Sequence, residues 1–166
     1  LTLEILFADQ HYVAINKPEG MLVHRSQIAA DVNANFAMQL LRNQLKQHVY
    51  TVHRLDRPTA GVLLFALSPE AAAKITEQFS NNLVQKRYIA IVRGYTDTQG
   101  TIDYALKKED TNVWQDAVTH YTQLATVELP FATNRYPTAR YSLVAAKPVS
   151  GRMHQIRRHF KHIFHP

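Results

Sequence analysis

The sequence predicts an α+β fold, built on a mixed and mainly antiparallel sheet with flanking helices. Short β-forming runs are numerous, three segments have helical periodicity, and the two kinds of element do not alternate strictly along the chain. Strict alternation would instead favour a parallel sheet covered by helices on both faces. With 166 residues, the chain has the length of one ordinary domain, and we expect a single domain over residues 1–166.

In the first half of the chain, two apolar runs around Asp9-Gln10 predict a β-hairpin. An imperfect apolar face predicts a helix over residues 34–47. The segment Ser68-Pro69-Glu70 combines an N-cap hydroxyl, a proline for the first turn and an acid near the positive end of the helix dipole. A helix is therefore predicted from there to Phe79. The strands predicted in this half cover residues 3–8, 11–15, 50–53 and 61–67.

In the second half, β-branched and aromatic residues predict strands at residues 84–92, 118–129 and 140–146. The stretch 97–116 is polar and weakly patterned, which predicts a loop-rich segment with one short strand. A final helix is predicted over residues 152–164, because its apolar residues recur at helical spacing.

The composition favours a soluble protein with a polyanionic partner. The formal charge is +6 before nine histidines are counted, and the isoelectric point is near 9.7. Nucleic acid is the first candidate partner, with a basic enzyme that has no such partner as the alternative. The absence of cysteine excludes disulfides, thiolate nucleophiles and cysteine-bound zinc. No apolar run is long enough to cross a bilayer, and we expect a cytoplasmic monomer without membrane association.

The two ends of the chain predict a fragment of a longer protein. The chain begins with Leu1 rather than methionine, and Pro166 directly follows a helical pattern. Proline there is a helix-stop signal and does not mark the end of a domain. We therefore expect the C-terminal part of the fold to lie outside these residues.

The densest group of reactive side chains lies in the turn from His53 to Gly61. Asp56 is flanked there by Arg54 and Arg57, so its carboxylate is expected to stay ionised and to be available as a nucleophile or base. A proline and a glycine make the turn stiff, which suits a preorganised site. The alternative is an aspartate that only caps the turn and pairs with a neighbouring arginine. The residues alone do not decide between the two.

The final predicted helix has a basic side opposite its apolar stripe. The residues of this side are His154, Arg157, Arg158 and Lys161. Arg157 follows Ile156, at the margin where a long side chain can reach inward while the helix stays packed. The alternative is an ordinary solvated basic face. His159 and His162 are three residues apart, but no carboxylate joins the histidines of this helix, so no metal site is predicted.

Tyr88 is the third candidate, after Gln85-Lys86-Arg87 at the entry to a predicted strand. It could stack on a base or donate its hydroxyl group, or it could simply pack, and packing is the simpler interpretation. The sequence has no glycine-rich phosphate loop, no nucleotide fingerprint and no serine-centred elbow. No cofactor is therefore predicted, and ATP or dinucleotide chemistry has no support.

Four segments together resemble the RluA-type family of pseudouridine synthases, in the order in which that family has them. They are Asn16–Gly20, His53–Gly61, Gln85–Tyr88 and Gly151–Arg157. One such segment would be a weak indication, but four in order over nearly the whole chain are highly specific. The resemblance implies the fold of that family, as a catalytic domain over residues 1–166. It also implies isomerisation of uridine to pseudouridine in RNA.

The resemblance assigns roles to individual residues. Asp56 matches the catalytic aspartate of the family, and Arg157 matches the arginine that pairs with it. Tyr88 matches the active-site tyrosine that lies against the target base. Arg54 matches an arginine that fills the space left by the displaced nucleotide, and Ile156 matches an apolar residue of the uracil pocket.

Further segments resemble members of the family that act on tRNA. They include Arg57-Pro58 after the aspartate, Val23–Ser26, Ala117–Tyr121 and Arg135–Thr138. This resemblance implies tRNA as the partner and uridine 65 as the target, and Arg57 is taken as an RNA-binding residue beside Arg54. Members of the family continue beyond the position of Pro166 with more sheet, including a Gly-Asp…Tyr-Gly segment that this sequence lacks.

Three alternatives stay open from the residues. The first is a noncatalytic RNA-binding module, which would keep the basic surface but would have no use for Asp56 beside arginines. The second is an rRNA pseudouridine synthase of the same family. The third is a carboxylate-dependent glycosidase or nucleosidase, which would normally need a second acid, and Glu19 and Asp103 are weak candidates for it.

Overall fold

Antiparallel pairing joins the strands in each of the sheets that the structure describes. The computed structural model describes residues 2–24, 36–133 and 135–166. Its strands form two four-stranded sheets and a two-stranded ribbon. The chain divides into two units, Leu1–Leu83 and Val84–Pro166, with one four-stranded sheet in each. The predicted α+β class with a mainly antiparallel sheet is confirmed, and the single domain over residues 1–166 stays a prediction.

The described residues of the first unit form four strands and two helices. In chain order these are β1 Glu4–Ala8, β2 Tyr12–Lys17, α1 Ala37–Leu45, β3 Tyr50–Thr51, β4 Gly61–Ala66 and α2 Pro69–Ser80. The sheet has the order β1-β2-β4-β3, so β2 and β4 are its inner strands. These two strands supply side chains without exposed surface, namely Val13, Ile15, Leu63 and Phe65.

Helix α2 begins where the sequence predicts. The Oγ of Ser68 accepts a hydrogen bond of 3.1 Å from the N–H of Ala71, and Pro69 occupies the first turn. The apolar side of α2 packs against the sheet around a buried cluster that includes Ala66, with Phe79 at its edge. Local capping and tertiary packing therefore favour the same helix.

Helix α1 is shorter than the helix predicted over residues 34–47. It ends at Leu45, because the next residue, Lys46, has a φ of 54° in the left-handed region and the helix cannot continue to residue 47. Residues 34 and 35 lie outside the described part of the chain. Arg25 and Ser26, which belong to a segment that resembles family members acting on tRNA, also lie outside it.

The described residues of the second unit form six strands and one helix. In chain order these are β5 Tyr88–Arg93, β6 Gln99–Asp103, β7 Leu106–Lys107, β8 Trp114–Gln115, β9 Val118–Leu129, β10 Ala139–Pro148 and α3 Gln155–His162. The larger sheet has the order β5-β10-β9-β6, and β7 pairs with β8 in the ribbon. Helix α3 packs on one face of the larger sheet, around a buried cluster that includes Val92, Val144 and Phe160.

The polar stretch 97–116 contains three strands rather than the single short strand that was predicted. Strand β6 is an edge strand paired with β9, and β7 and β8 pair only with each other. An edge strand with one solvated face needs few apolar residues, and Ile102 is the one buried residue of β6. The weak apolar pattern that suggested a loop is thus the pattern of short edge strands.

Two elements of the second unit begin later than predicted. Strand β5 begins at Tyr88 rather than at Val84. Helix α3 begins at Gln155 rather than at residue 152, because His154 has a φ of 52° and so is not helical. No helix within the described residues is long and apolar enough to span a membrane.

Candidate active site

Asp56 lies in the loop between β3 and β4, and buried apolar neighbours hold that loop in place. Val52 and Leu55 are 8% and 7% exposed, whereas Asp56 is half-buried. The backbone carbonyl of Asp56 accepts a hydrogen bond of 3.0 Å from the N–H of Thr59, which closes the turn. The loop is therefore anchored in the core, and its aspartate is partly accessible to solvent.

A second loop, residues 18–21, is joined to the Asp56 loop by two hydrogen bonds. The N–H of Gly20 donates to the carbonyl oxygen of Arg57 over 2.8 Å, and the Nε of Arg57 donates to the carbonyl oxygen of Gly20 over 3.0 Å. Gly20 has a φ of 75°, which glycine adopts without strain. Two of the four motif segments thus meet in the fold as a joined pair of loops.

The side chain of Lys17 is fully buried at the junction of these loops. Its ammonium group donates to the carbonyl oxygens of Met21, Pro18 and Arg57 over 2.8, 2.9 and 3.3 Å. Burial lowers the pKa of Lys17 below its ordinary value, and the nearby charge of Asp56 opposes that shift. Three acceptors and a nearby carboxylate explain how the fold accommodates a buried cation.

Lys17 is a candidate functional residue that the sequence analysis missed. In the sequence, Lys17 was noted only as a member of the motif segment Asn16–Gly20. In the structure it is the last residue of β2 and lies opposite Gly61 of β4, on the same strand face as the buried residues Val13 and Ile15. Lysine is almost never fully buried unless polar partners hold it, so a lysine that continues the alternation of two apolar residues was a usable signal.

The arginines that flank Asp56 are both exposed. Arg57 also holds the two loops together, so it has a structural role in addition to the RNA contact predicted for it. Arg54 has the exposure that its predicted role requires. His53, at the start of the same segment, accepts a hydrogen bond of 2.9 Å from the N–H of Leu64, which fixes the beginning of the loop to β4.

Tyr88 is the first residue of β5 and is partly exposed. It lies opposite Ala146 of β10. Because side chains alternate along a strand, Tyr88 is on the same face as Ala90 and Val92, which pack in the core beneath α3. Tyr88 therefore belongs to the face of the sheet that α3 covers.

Gln155, the first residue of α3, fixes this helix to strand β9. Its Nε2 donates to the Oγ1 of Thr119 and to the carbonyl oxygen of Val118, each over 3.0 Å. Its Oε1 accepts from the hydroxyl group of Ser150 over 2.7 Å and from the N–H of Arg152 over 3.0 Å. All four hydrogen-bonding positions of the amide are in use, so the first turn of α3 has one defined orientation.

His159 makes a second connection between α3 and the sheet. Its Nε2 lies 3.0 Å from the carbonyl oxygen of Tyr104, and its Nδ1 lies 2.8 Å from the Oγ1 of Thr119. A carbonyl oxygen only accepts, so Nε2 carries the proton and Nδ1 accepts from the hydroxyl group of Thr119. Burial lowers the pKa of His159, and the hydrogen bond to Tyr104 opposes that shift. With both ring nitrogens occupied, His159 is not a metal ligand.

Acid is expected to destabilise the protein through His159. The pKa of His159 in the folded state is below its ordinary value of 6.5. As the pH falls below that value, this side chain is therefore protonated to a greater extent in the unfolded protein than in the folded protein. This contribution to stability is complete above pH 6.5 and is lost as the pH falls below it. We expect the urea midpoint to fall on acidification, and to fall less in His159→Gln, which cannot be protonated. Equal pH dependence in the two proteins would contradict this role.

Ile156 faces the core and Arg157 faces the surface, as their positions in the helical pattern predict. Ile156 is partly buried against the cluster that contains Val92 and Phe160, and Arg157 is exposed. Since Gln155 holds the preceding position by four hydrogen bonds, the backbone that carries both residues is fixed. An exposed arginine on a fixed backbone can reach a ligand with little loss of backbone entropy.

The predicted site residues form two groups, one in each unit. The group in the first unit consists of the loop residues Arg54, Asp56 and Arg57. The group in the second unit consists of Tyr88, on the face of the sheet that α3 covers, and of Ile156 and Arg157 on α3 itself.

Comparison with known proteins identifies the family. The profile of the family described as RNA pseudouridylate synthase matches residues 11–162, a range that includes all four motif segments. The chain belongs to the RNA pseudouridylate synthase family. Relatives within this synthase family include the tRNA pseudouridine synthase C of Pasteurella multocida, which is 54% identical over 100% of this chain and 72% of that relative. The tRNA pseudouridine synthase C of Haemophilus ducreyi is 53% identical with the same coverage.

Solved structures of this synthase family have the same fold. The human RNA pseudouridylate synthase domain containing 1 superposes with a TM-score of 0.80 at 23% identity, over 99% of this chain and 66% of that chain. The human RNA pseudouridylate synthase domain containing 4 gives a TM-score of 0.71 at 27% identity, over 95% of this chain and 63% of that chain. This chain therefore spans about 72% of those two bacterial relatives and about two thirds or less of the solved chains.

Proposed function

We propose that the protein isomerises uridine to pseudouridine in tRNA, with Asp56 as the catalytic carboxylate. One observation carries the proposal within this family: Asp56 is half-buried on an anchored loop, and the buried ammonium group of Lys17 lies near it. A fixed carboxylate with a cation nearby is suited to nucleophilic attack or to the stabilisation of developing positive charge.

The isomerisation exchanges one bond to the ribose for another. The N1–C1′ bond breaks, the uracil turns, and a C5–C1′ bond forms, while C5 loses its hydrogen and N1 gains one. A carboxylate beside C1′ can form a covalent sugar adduct or stabilise cationic character there, as carboxylates do in glycoside hydrolysis. Attack at C6 and proton removal from C2′ to give a glycal are other routes to the same product. Since all atoms other than the exchanged hydrogen are retained, the reaction needs no cofactor.

Arg157 is proposed to pair with Asp56 in the complex with RNA. An arginine beside a carboxylate favours its ionised form and restricts its orientation. The four hydrogen bonds of Gln155 support this role, because they fix the turn of α3 from which Arg157 extends.

The target uridine must leave its stacked position before its ribose can react. Extrusion costs a few kcal/mol, which contacts in the pocket partly offset. We propose that Tyr88 lies against the extruded base, that Ile156 lines the uracil pocket and that Arg54 fills the space left in the RNA. Arg57 is proposed to contact the RNA as well. The exposure of both arginines and the partial exposure of Tyr88 are compatible with these roles.

Uridine 65 is the proposed target within tRNA. The names of the relatives described above specify tRNA. The position within tRNA is proposed only from the resemblance of the sequence segments. The net charge of +6 suits a polyanionic substrate. Affinity for tRNA should therefore decrease with salt.

Tritium release from tRNA labelled at C5 of uridine tests the proposal. Because C5 loses its hydrogen as the new bond forms, we expect one equivalent of tritium per tRNA. A transcript with cytidine in place of uridine 65 is the matched control and should release none. The full-length protein should be used, together with rRNA transcripts as competing substrates.

Each other outcome of this assay has a defined meaning. Release from the cytidine-65 transcript would move the target to another uridine, and release from rRNA alone would replace tRNA as the substrate. Free uracil in the supernatant would indicate a glycosidase. A folded protein that binds tRNA but releases no tritium would be the noncatalytic RNA-binding module.

A further inference from the structure

The β7–β8 ribbon and the adjoining side of α3 form a surface that the proposed chemistry does not use. We propose that this surface, composed of Tyr104, Lys107, Trp114, Arg158 and His162 and called the ribbon surface below, binds an unpaired segment of the RNA by base stacking and phosphate contacts. The inference rests on the proposed function in that it takes RNA as the partner. It assigns a second contact region for the same substrate.

Three aromatic rings follow one another on the ribbon surface. The ring of Tyr104 stacks on that of His162 with 3.6 Å between centroids and 15° between planes. Trp114 meets Tyr104 edge to face at 6.3 Å and 84°. Trp114 is nevertheless 58% exposed, and Tyr104 is 36% exposed. A solvent-exposed tryptophan that other rings support is a suitable platform for a nucleic acid base, because every base has a face that stacks.

Basic groups lie beside these rings. Lys107 is directly opposite Trp114 in the ribbon, so the two side chains extend on the same side, and both are exposed. The Nη2 of Arg158 donates to the carbonyl oxygen of Lys107 over 2.8 Å, which places a second cation at this strand. Lys161 is exposed three residues further along α3. Cations next to a stacking platform are the arrangement that single-stranded nucleic acid requires.

Two acids between β7 and β8 have contacts with side chains other than Lys107 and Arg158. Asp110 lies 3.3 Å from the ammonium group of Lys108, and Glu109 lies 4.0 Å from a ring nitrogen of His154. Neither of these contacts involves Lys107 or Arg158. The positive charge beside Trp114 is therefore not cancelled by these two acids.

The platform is rigid because its central ring belongs to an anchored segment. The carbonyl oxygen of Tyr104 accepts from buried His159 over 3.0 Å, and its N–H donates to the carbonyl oxygen of Ala117 over 3.1 Å. Leu106, which follows closely in β7, is 2% exposed. A preorganised platform loses little conformational entropy when a base stacks on it.

Unpaired RNA fits this surface better than an acidic protein does. Acidic side chains would use the cations, but they would gain little from the exposed face of Trp114. A paired A-form helix has its bases stacked on each other, so their faces are not available, whereas loops and ends present them. The stacking of a base on Trp114 is thus the feature that distinguishes this proposal from simple electrostatic attraction.

The emission of Trp114 provides a direct test, since it is the only tryptophan of the chain. The emission of Trp114 is the part of the wild-type fluorescence that the Trp114→Phe variant lacks. We expect tRNA to quench this emission. Heparin, a polyanion without bases, should leave this emission nearly unchanged. Trp114→Ala should weaken tRNA binding by roughly 5- to 100-fold, as expected for the loss of one base–aromatic stack.

A neighbouring position offers a matched control for lost apolar surface. Val113 is also 58% exposed but is not aromatic, so Val113→Ala should leave tRNA affinity within about twofold of the wild-type value. Lys107→Met should reduce the dependence of log affinity on log salt by about one unit. Equal effects of Val113→Ala and Trp114→Ala, or quenching by heparin as strong as that by tRNA, would overturn the stacking proposal.

Failure of this inference can be told apart from failure of the proposed function. If tRNA leaves Trp114 emission unchanged while tritium is released from uridine, the ribbon surface is not an RNA contact and the isomerase proposal stands. If tRNA quenches Trp114 but no RNA releases tritium, the surface is confirmed and the isomerase proposal fails. Quenching by an acidic peptide alone would identify a protein partner instead.

Discussion

Replacement of Asp56 by asparagine is expected to reduce tritium release from tRNA by roughly a thousandfold or more while leaving tRNA affinity almost unchanged. Asparagine has nearly the same shape, so the half-buried loop should keep its structure. Its neutral amide cannot attack C1′ as a carboxylate does, and it stabilises cationic character there only weakly. Single-turnover tritium release and filter binding with the same tRNA preparation separate the two quantities.

Asp9→Asn is the matched control for the alternative in which Asp56 only caps its turn. The Oδ1 of Asp9 accepts from the N–H groups of His11 and Tyr12, each over 2.7 Å, and these bonds lower the pKa of Asp9. It is thus an aspartate that caps a turn in the same unit. We expect Asp9→Asn to leave turnover unchanged and to lower stability slightly. If Asp56→Asn behaved in the same way, Asp56 would be a structural residue and the proposed mechanism would fail.

Replacement of Lys17 by methionine is expected to lower the free energy of unfolding by about 3 kcal/mol or more. Methionine has a similar length and shape, so the apolar contacts of the side chain are largely kept. The carbonyl oxygens of Pro18, Met21 and Arg57 lose a donor inside the protein, and Asp56 loses a nearby cation. Urea denaturation followed by circular dichroism gives the change in stability.

Lys86→Met is the matched control for Lys17→Met, because Lys86 also donates hydrogen bonds to backbone carbonyl oxygens. Lys86 donates to the carbonyl oxygens of Ser150 and Val149 over 3.1 and 3.5 Å, but it is only partly buried, so water can replace the ammonium group. We expect Lys86→Met to cost about 1 kcal/mol or less. A Lys17→Met protein as stable as the Lys86→Met protein would show that the junction of the two loops does not depend on its buried cation.

The turnover of Lys17→Met should fall as well, under conditions in which the variant is folded. Loss of the ammonium group loosens the connection between the two loops, so Asp56 is positioned less accurately. Because Lys17 is buried and is not proposed to contact RNA, we expect kcat to decrease with little change in KM. An equal rise in KM would instead indicate a general disturbance of the RNA-binding surface.

Much of the secondary structure was predictable because its determinants are local. The start of α2 depends on Ser68, Pro69 and their immediate neighbours, and the structure confirms the predicted cap. The long strands β9 and β10 follow from their β-branched and aromatic residues. Strands β6, β7 and β8 were not recognised as three strands. The pairing of a short edge strand with its partner has little effect on the amino-acid composition of the edge strand, so the sequence contains little indication of that pairing.

The sequence by itself determined the α+β class, the order of most elements and the four segments that identify the family. These properties depend on residue type and on spacing along the chain, which are both present in the sequence. Only the tertiary structure decided that Lys17 is a buried cation near Asp56, and that Thr119 connects Gln155 and His159 to the sheet. Burial and hydrogen bonding between residues tens of positions apart arise when the chain packs, because only then does the environment of a polar group become defined.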